Sequence, residues 1–201
     1  MDARRFARLV TDAVVRNPRL WRVFRGRLRD RFDTLAPTWE TRIGPHHLGA
    51  LDLSLEGVPP PGHVLDLGTG TGVVAKALAE RYPEADVLGI DLSPAMIEEA
   101  ARRLPSELAG RVRFEVGDAA ALDSSAGAFE LVVLSNMIPF FDELARVTTR
   151  GGTLVLSFSR GAETPIYVAP DRLRRELGSR GFAEFAEFSA EPATALRARR
   201  R

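Results

Sequence analysis

The sequence predicts an α/β fold with a mostly parallel sheet and helices on both faces, and three observations carry that expectation. From residue 59 onward short β-rich runs alternate with helical patterns, the signature of βαβ units. The β-rich runs are mostly continuous in their apolar character, as strands covered on both faces should be. A glycine-rich stretch, "DLGTGTG" at 66–72, separates the first such run from the first helical pattern. The 201 residues, 45% apolar, suffice for one domain with a substantial core and an appended segment.

The appended segment comes first. Residues 1–31 hold ten arginines less three aspartates, a net +7 inside a chain whose total is +1. Leu20, Phe24, Leu28 and Phe32 recur every four positions beside Trp21, which predicts a helix with one apolar stripe and an arginine-rich remainder. Such a helix suits its own domain, a membrane surface or phosphate. Arginine is also favoured throughout, since Lys76 is the sole lysine among 28 basic residues. "GVPPPGH" (57–63) reads as a linker, dividing a helical cap or lid at 1–58 from a core at 59–201.

Within the core, strands are expected near Val64–Leu67, Asp86–Ile90, Val112–Val116, Leu131–Leu134 and Thr153–Phe158. Val73, Val74, Ala77 and Leu78 make one apolar helix face, and Met96, Ile97, Ala100, Ala101 and Leu104 make another. Ser93 followed by Pro94 has the form of an N-cap and first-turn proline. Gly151-Gly152 is expected to end a helix around Asp142–Val147 and turn the chain into "TLVLSFS". Asp171–Gly178 reads as a helix, whereas "FAEFAEFS" spaces its phenylalanines by three and fits neither period.

Gly68, Gly70 and Gly72 allow a tight strand-to-helix bend and let a ligand approach main-chain N–H groups. Counted from Gly68, the sixth position is Val73, so the pattern departs from the dinucleotide fingerprint and counts against a nicotinamide oxidoreductase; no G-K-[ST] follows, which excludes a Walker loop. Asp91 closes the second strand 25 residues beyond Asp66, placed to accept hydrogen bonds from ribose hydroxyls, and Asp118 follows the third strand. Ligands of open α/β sheets lie across the carboxyl ends of the strands, so these three carboxylates are expected at one crevice. The lesser alternative for Asp118 is to cap the turn that follows.

The segments "VLDLGTGTG", "GIDLSPAMIEEA", "VGDAAAL" and "ELVVLSNMIPFFDELARVTTRGGTLVLSFS", covering most of residues 62 to 160, resemble the class I S-adenosylmethionine-dependent methyltransferases. The resemblance implies a Rossmann-like seven-stranded sheet whose "FAEFAEFS" and "ATALRARR" form a closing antiparallel hairpin, and it implies S-adenosyl-L-methionine as cofactor. It assigns Gly68, Thr69, Gly70, Thr71 and Gly72 to the amino-acid end of that cofactor, with Asp66 reaching its amino group directly or through water. Asp91 would take the ribose hydroxyls, Leu92 and Met96 would flank the adenine, Asp118 and Ala119 would meet its edge, and Ser135 would offer its carbonyl to the ammonium. Phe32-Asp33…Trp39-Glu40 is similar to a segment that small-molecule enzymes of this family place over the cofactor, departing from their usual tyrosine-aspartate pair at Trp39-Glu40.

The implied reaction is an in-line displacement at a methyl carbon, whose main demand is positioning. "SNMIPFF" does not match the [DN]-P-P-[FY] of enzymes acting on nucleic-acid amines, so a small-molecule acceptor is expected. Trp39, Phe140 and Phe141 are candidates for its pocket, and His46, His47 and Tyr167 are candidate catalytic groups. Three histidines and no cysteine leave no expected metal site. Nothing approaches the roughly 20 apolar residues of a membrane span, and the start breaks its apolar runs too soon for a secretory signal, so a cytoplasmic protein is expected, with peripheral membrane contact, monomer and homodimer left open. The alternative to an enzyme is a non-catalytic cofactor-binding module docked on a partner through its basic helix.

Overall fold

The computed structural model describes residues 3–44 and 47–201. Two helices open the chain, α1 (Ala3–Arg16) and α2 (Trp21–Leu35), followed by a 3-10 turn at Ala36–Arg42 and the short α3 (Gly49–Ser54). The core then runs β1 (His63–Leu67), α4 (Val73–Arg81), β2 (Asp86–Asp91), α5 (Pro94–Arg102), β3 (Val112–Val116), β4 (Phe129–Ser135), α6 (Phe141–Val147), β5 (Thr148–Phe158), α7 (Pro170–Gly178), β6 (Phe182–Ala190) and β7 (Ala193–Arg200). The seven strands form one sheet in the order β3-β2-β1-β4-β5-β7-β6. Strands β1 to β5 pair in parallel, and β7 is antiparallel to both neighbours.

Period-two geometry splits each apolar run between two cores. Leu65, Leu67, Val132, Leu134, Leu154 and Leu156 face the core that includes α1, α2, α6 and α7. Val64, Val87, Leu131, Val133 and Val155 face the other, against α3 and α4. Most of the stripe foreseen on the basic helix is used inside the chain: Trp21 and Leu28 are buried and Phe24 and Phe32 pack against the same core, whereas Leu20 falls in the preceding 3-10 turn and is exposed. Helix α3 packs on β6 and β7, and Arg197 donates to the Ser54 and Glu56 carbonyls.

One expectation is corrected, and the closing hairpin is as expected. Helix α6 ends at Thr148, which is already extended, and Gly151-Gly152 lie inside β5. Between the pairings Phe129↔Thr148 and Leu131↔Thr153 the chain bulges, with Gly151 at φ +78°; the glycines serve a strand irregularity. "FAEFAEFS" is β6, and its odd spacing has a cause. Glu184 at φ +52° carries a bulge between Ala183 and Ala186, so Phe182 and Phe185 meet one core and Phe188 the other.

Candidate cofactor and acceptor site

The bend after β1 is pinned before any ligand is considered. The Gly68 and Thr69 N–H groups donate to the Ile90 carbonyl, at 2.8 and 3.0 Å, tying the loop to the end of β2. Each glycine answers a different need. A Cβ on Gly68, at φ +70°, would lie 2.9 Å from the Met137 sulfur; one on Gly70, at φ +54°, would meet the Trp39 indole nitrogen at 3.2 Å; one on Gly72, at φ +79°, would strike the Phe114 ring at 2.6 Å. Gly72 therefore serves packing of α4 against β3, outside the cavity lining.

Asp66 lies beneath the loop, 1% exposed. Its Oδ2 accepts from the Thr69 hydroxyl at 2.6 Å, and its Oδ1 has no partner. Burial pushes its carboxyl up to about 7, against the Thr69 hydrogen bond, with Asp91 adding to the rise. Asp91 stands in the cavity wall, accepting from the N–H groups of Gly70 and Ser93, both at 2.9 Å. Burial raises it too, with these backbone donors opposing.

The cap is fastened to this edge at three places. The Ser93 hydroxyl caps α5 by accepting from the Met96 N–H and donates to Asp33 of α2 at 2.6 Å. The Trp21 indole N–H donates to Asp118 at 2.7 Å, and Arg25 reaches the other oxygen at 3.1 Å. Arg103 of α5 pairs with Glu40 at 2.8 Å. The Asp118 carboxylate also accepts from the Ala120 N–H, closing the turn anticipated for it, and it does not line the cavity.

Between cap and sheet lies a cavity of about 620 Å³, within the range that holds drug-sized ligands. Gly68, Thr69, Gly70, Thr71, Asp91, Leu92, Met96, Ala119 and Ser135 line it together with Trp39, His47 and Phe140. Thr71 Oγ1 and Ser135 Oγ are buried without a partner, the condition of polar groups that a bound ligand or water must satisfy. Burial lowers the His47 imidazole below its usual range, so it is neutral at physiological pH.

Other candidates are not brought there. Phe141 is core, its ring beneath the Arg180 guanidinium. Tyr167 packs edge-on against Phe158 and under Arg8, away from this cavity. His46 lies outside the described residues. Conversely, the cavity gains Asn136, whose Oδ1 accepts from the Ser159 N–H at 2.9 Å. Asn136 sits at φ +52°, a conformation asparagine tolerates better than most residues; an asparagine directly after a strand was its sequence signal. Arg31, Arg42 and Arg160 line the cavity too, and nothing in their local sequence distinguished them from other arginines.

Residues 64–152 match a family model described as "Methyltransferase domain". The demethylmenaquinone methyltransferase of Thermus thermophilus is 42% identical over 53% of this chain and 50% of its own length. The trans-aconitate 2-methyltransferase of Methylobacterium nodulans is 36% identical over 61% of this chain and 47% of its own. The chain thus spans about half the length of the curated relatives it matches. Among solved structures, magnesium protoporphyrin IX methyltransferase from Synechocystis PCC 6803 with bound SAH superposes with a TM-score of 0.68, at 23% identity, over 87% of this chain and 98% of that one. The [4+2]-cyclase SpnF superposes at 0.71, with 16% identity, over 86% and 94%; both likenesses show the fold alone. The domain match, the sequence relatives and the sheet order agree: residues 64–152 match a methyltransferase domain, and the chain is similar to the class I S-adenosylmethionine-dependent methyltransferases.

Proposed function

We propose that this protein binds S-adenosyl-L-methionine across the carboxyl ends of β1 and β2 and transfers its methyl group to a small molecule held under the 1–58 cap. One observation carries the reading: a single cavity joins the glycine loop and Asp91 to the inner surface of α1 and α2. The relatives described above are named for menaquinone and trans-aconitate methylation, which supports a small-molecule acceptor. The donor supplies an electrophilic methyl on sulfur. The chain's part is to hold that donor and to align an acceptor with it.

The residues present fit such a donor. Asp91 keeps lone pairs on both oxygens for ribose hydroxyls after accepting its two backbone donors. Leu92, Met96 and Ala119 offer an apolar slot for a purine, and Thr69, Gly70, Thr71 and Ser135 surround the amino-acid end. Asp66 acts from below, holding Thr69 rather than touching the ligand. Because the Asp118 carboxylate is engaged by Trp21 and Arg25, adenine recognition falls to Ala119 and the neighbouring backbone. His47, neutral and in the wall, is the candidate base, and Trp39 and Phe140 bound the acceptor's space. The non-catalytic module loses support, since Phe24, Leu28 and Phe32 of the helix offered for docking are spent on its own core.

Calorimetry of the full chain with S-adenosylmethionine, S-adenosylhomocysteine and NAD tests the donor. The first two alone are expected to bind; binding of NAD alone would reverse the assignment. Incubation with labelled donor and fractionated small-molecule extract then tests transfer, and label in no fraction would favour a binding module.

A further inference from the structure

Resting on the reading above, we infer that the acceptor is a carboxylate-bearing molecule with an apolar body, its carboxylate held by the cavity arginines. The cavity's charge departs sharply from that of the chain. The whole sequence balances 28 basic residues against 27 acidic ones, yet the wall holds Arg4, Arg31, Arg42 and Arg160 with Asp91 as the one carboxylate among the described residues. That carboxylate already accepts two backbone N–H groups at the nucleoside end.

The guanidiniums come from α1, α2, the 3-10 turn at Ala36–Arg42 and the loop after β5, so sequence proximity does not account for their convergence. Some arginines outside the cavity are matched to carboxylates: Arg103 takes Glu40 and Glu99, Arg146 takes Glu143, and Arg180 takes Asp142 and Glu176. Arg31 and Arg42 make no side-chain hydrogen bond or ion pair with the described residues. Arg160 has only a long contact of 3.4 Å to the exposed Glu163.

Cations gathered around a partly apolar space repel one another and repel a sulfonium entering the same space, whereas one anion offsets both effects. A guanidinium presents a planar fork that matches a carboxylate bidentately. Ala7, Val10 and Ile43 of the cap, with Ile138 and Ile166 of the loops after β4 and β5, give the wall an apolar stretch that suits an aliphatic or aromatic body.

The test is calorimetry on the full chain saturated with S-adenosylhomocysteine, titrated with octanoate against octanamide and with 4-phenylbutyrate against its amide. Each carboxylate is expected to bind at least about tenfold more tightly than its amide. Arg42→Gln and Arg160→Gln, both at exposed positions, should each reduce that preference about threefold, and salt on the order of 0.5 M should shrink it further. S-adenosylhomocysteine affinity should stay within about twofold in both variants, since neither touches the nucleoside end. Carboxylates that bind no better than their amides overturn the inference. So does a fall in S-adenosylhomocysteine affinity as large as the fall for octanoate, which would give these arginines to the donor's own carboxylate. Failure of the unmodified chain to bind S-adenosylhomocysteine removes the underlying reading and this inference with it, an outcome distinct from both.

Discussion

The Trp21 indole nitrogen donates to Asp118 Oδ1 at 2.7 Å across 97 residues of sequence, while the same ring meets Phe140 edge-on with centroids 5.2 Å apart. One side chain thereby binds the cap to the end of the sheet and closes part of the cavity wall. Trp21→Phe keeps most of the ring and deletes the donor. It is expected to cost roughly 1.5 kcal/mol, the scale of a hydrogen bond to a charged group, and to speed proteolysis within α1 and α2. Denaturant unfolding and limited proteolysis check both, and an unchanged midpoint would show that the latch contributes nothing.

Asp91→Ala removes the one carboxylate of the cavity wall among the described residues. S-adenosylhomocysteine affinity is expected to fall by about 1.5 to 3 kcal/mol, or roughly 10- to 150-fold. Calorimetry reads it directly, and wild-type affinity in this variant would displace the nucleoside from the proposed edge.

Gly72→Ala combines a strained backbone, at φ +79°, with a methyl 2.6 Å from the Phe114 ring. A loss of about 2 to 3 kcal/mol is expected, from about 1 kcal/mol of left-handed strain plus overpacking. Adding Phe114→Leu should restore the packing part and leave the strain part. A double-mutant cycle in urea separates the two, and simple additivity would show that ring and methyl do not meet.

For pH, the raised carboxyl of Asp66 sets the sign. Its folded value, about 7, exceeds its ordinary 3.8, so its contribution is complete below about pH 4 and is lost as pH rises through 7. Wild type should therefore lose stability relative to Asp66→Asn between those values. Thermal melts of both proteins across pH 4 to 8 follow the difference, and a difference running the other way would mean that the carboxylate is stabilised in its charged form.

His47→Gln retains a hydrogen-bonding side chain without a titrating ring. If His47 accepts a proton in the reaction, kcat should fall by about 10²-fold or more, with KM little changed. The acid limb of the wild-type rate profile, its midpoint below 6.5 because burial lowers the imidazole, should vanish in the variant. Retention of that limb would assign it to another group.

What the sequence determined by itself was most of what local period and local chemistry govern, the bulged stretches around Gly151 and Glu184 excepted. Strand runs and helix faces follow from side-chain spacing along the backbone. The Ser93-Pro94 cap, the three-glycine bend and the acidic end of β2 depend on residues within a few positions of one another. Tertiary structure alone decided which side chains were free to act. Asp118 looked open to a ligand until Trp21 and Arg25 arrived from a distant helix; Phe140 and Phe141 are adjacent and both buried, yet of the two Phe140 alone lines the cavity. The arginines of the wall are no different in sequence from the other members of an arginine-rich chain. Their convergence is a matter of long-range packing, because hydrophobic burial of α1 and α2 against the sheet decides which polar groups are carried to the same space.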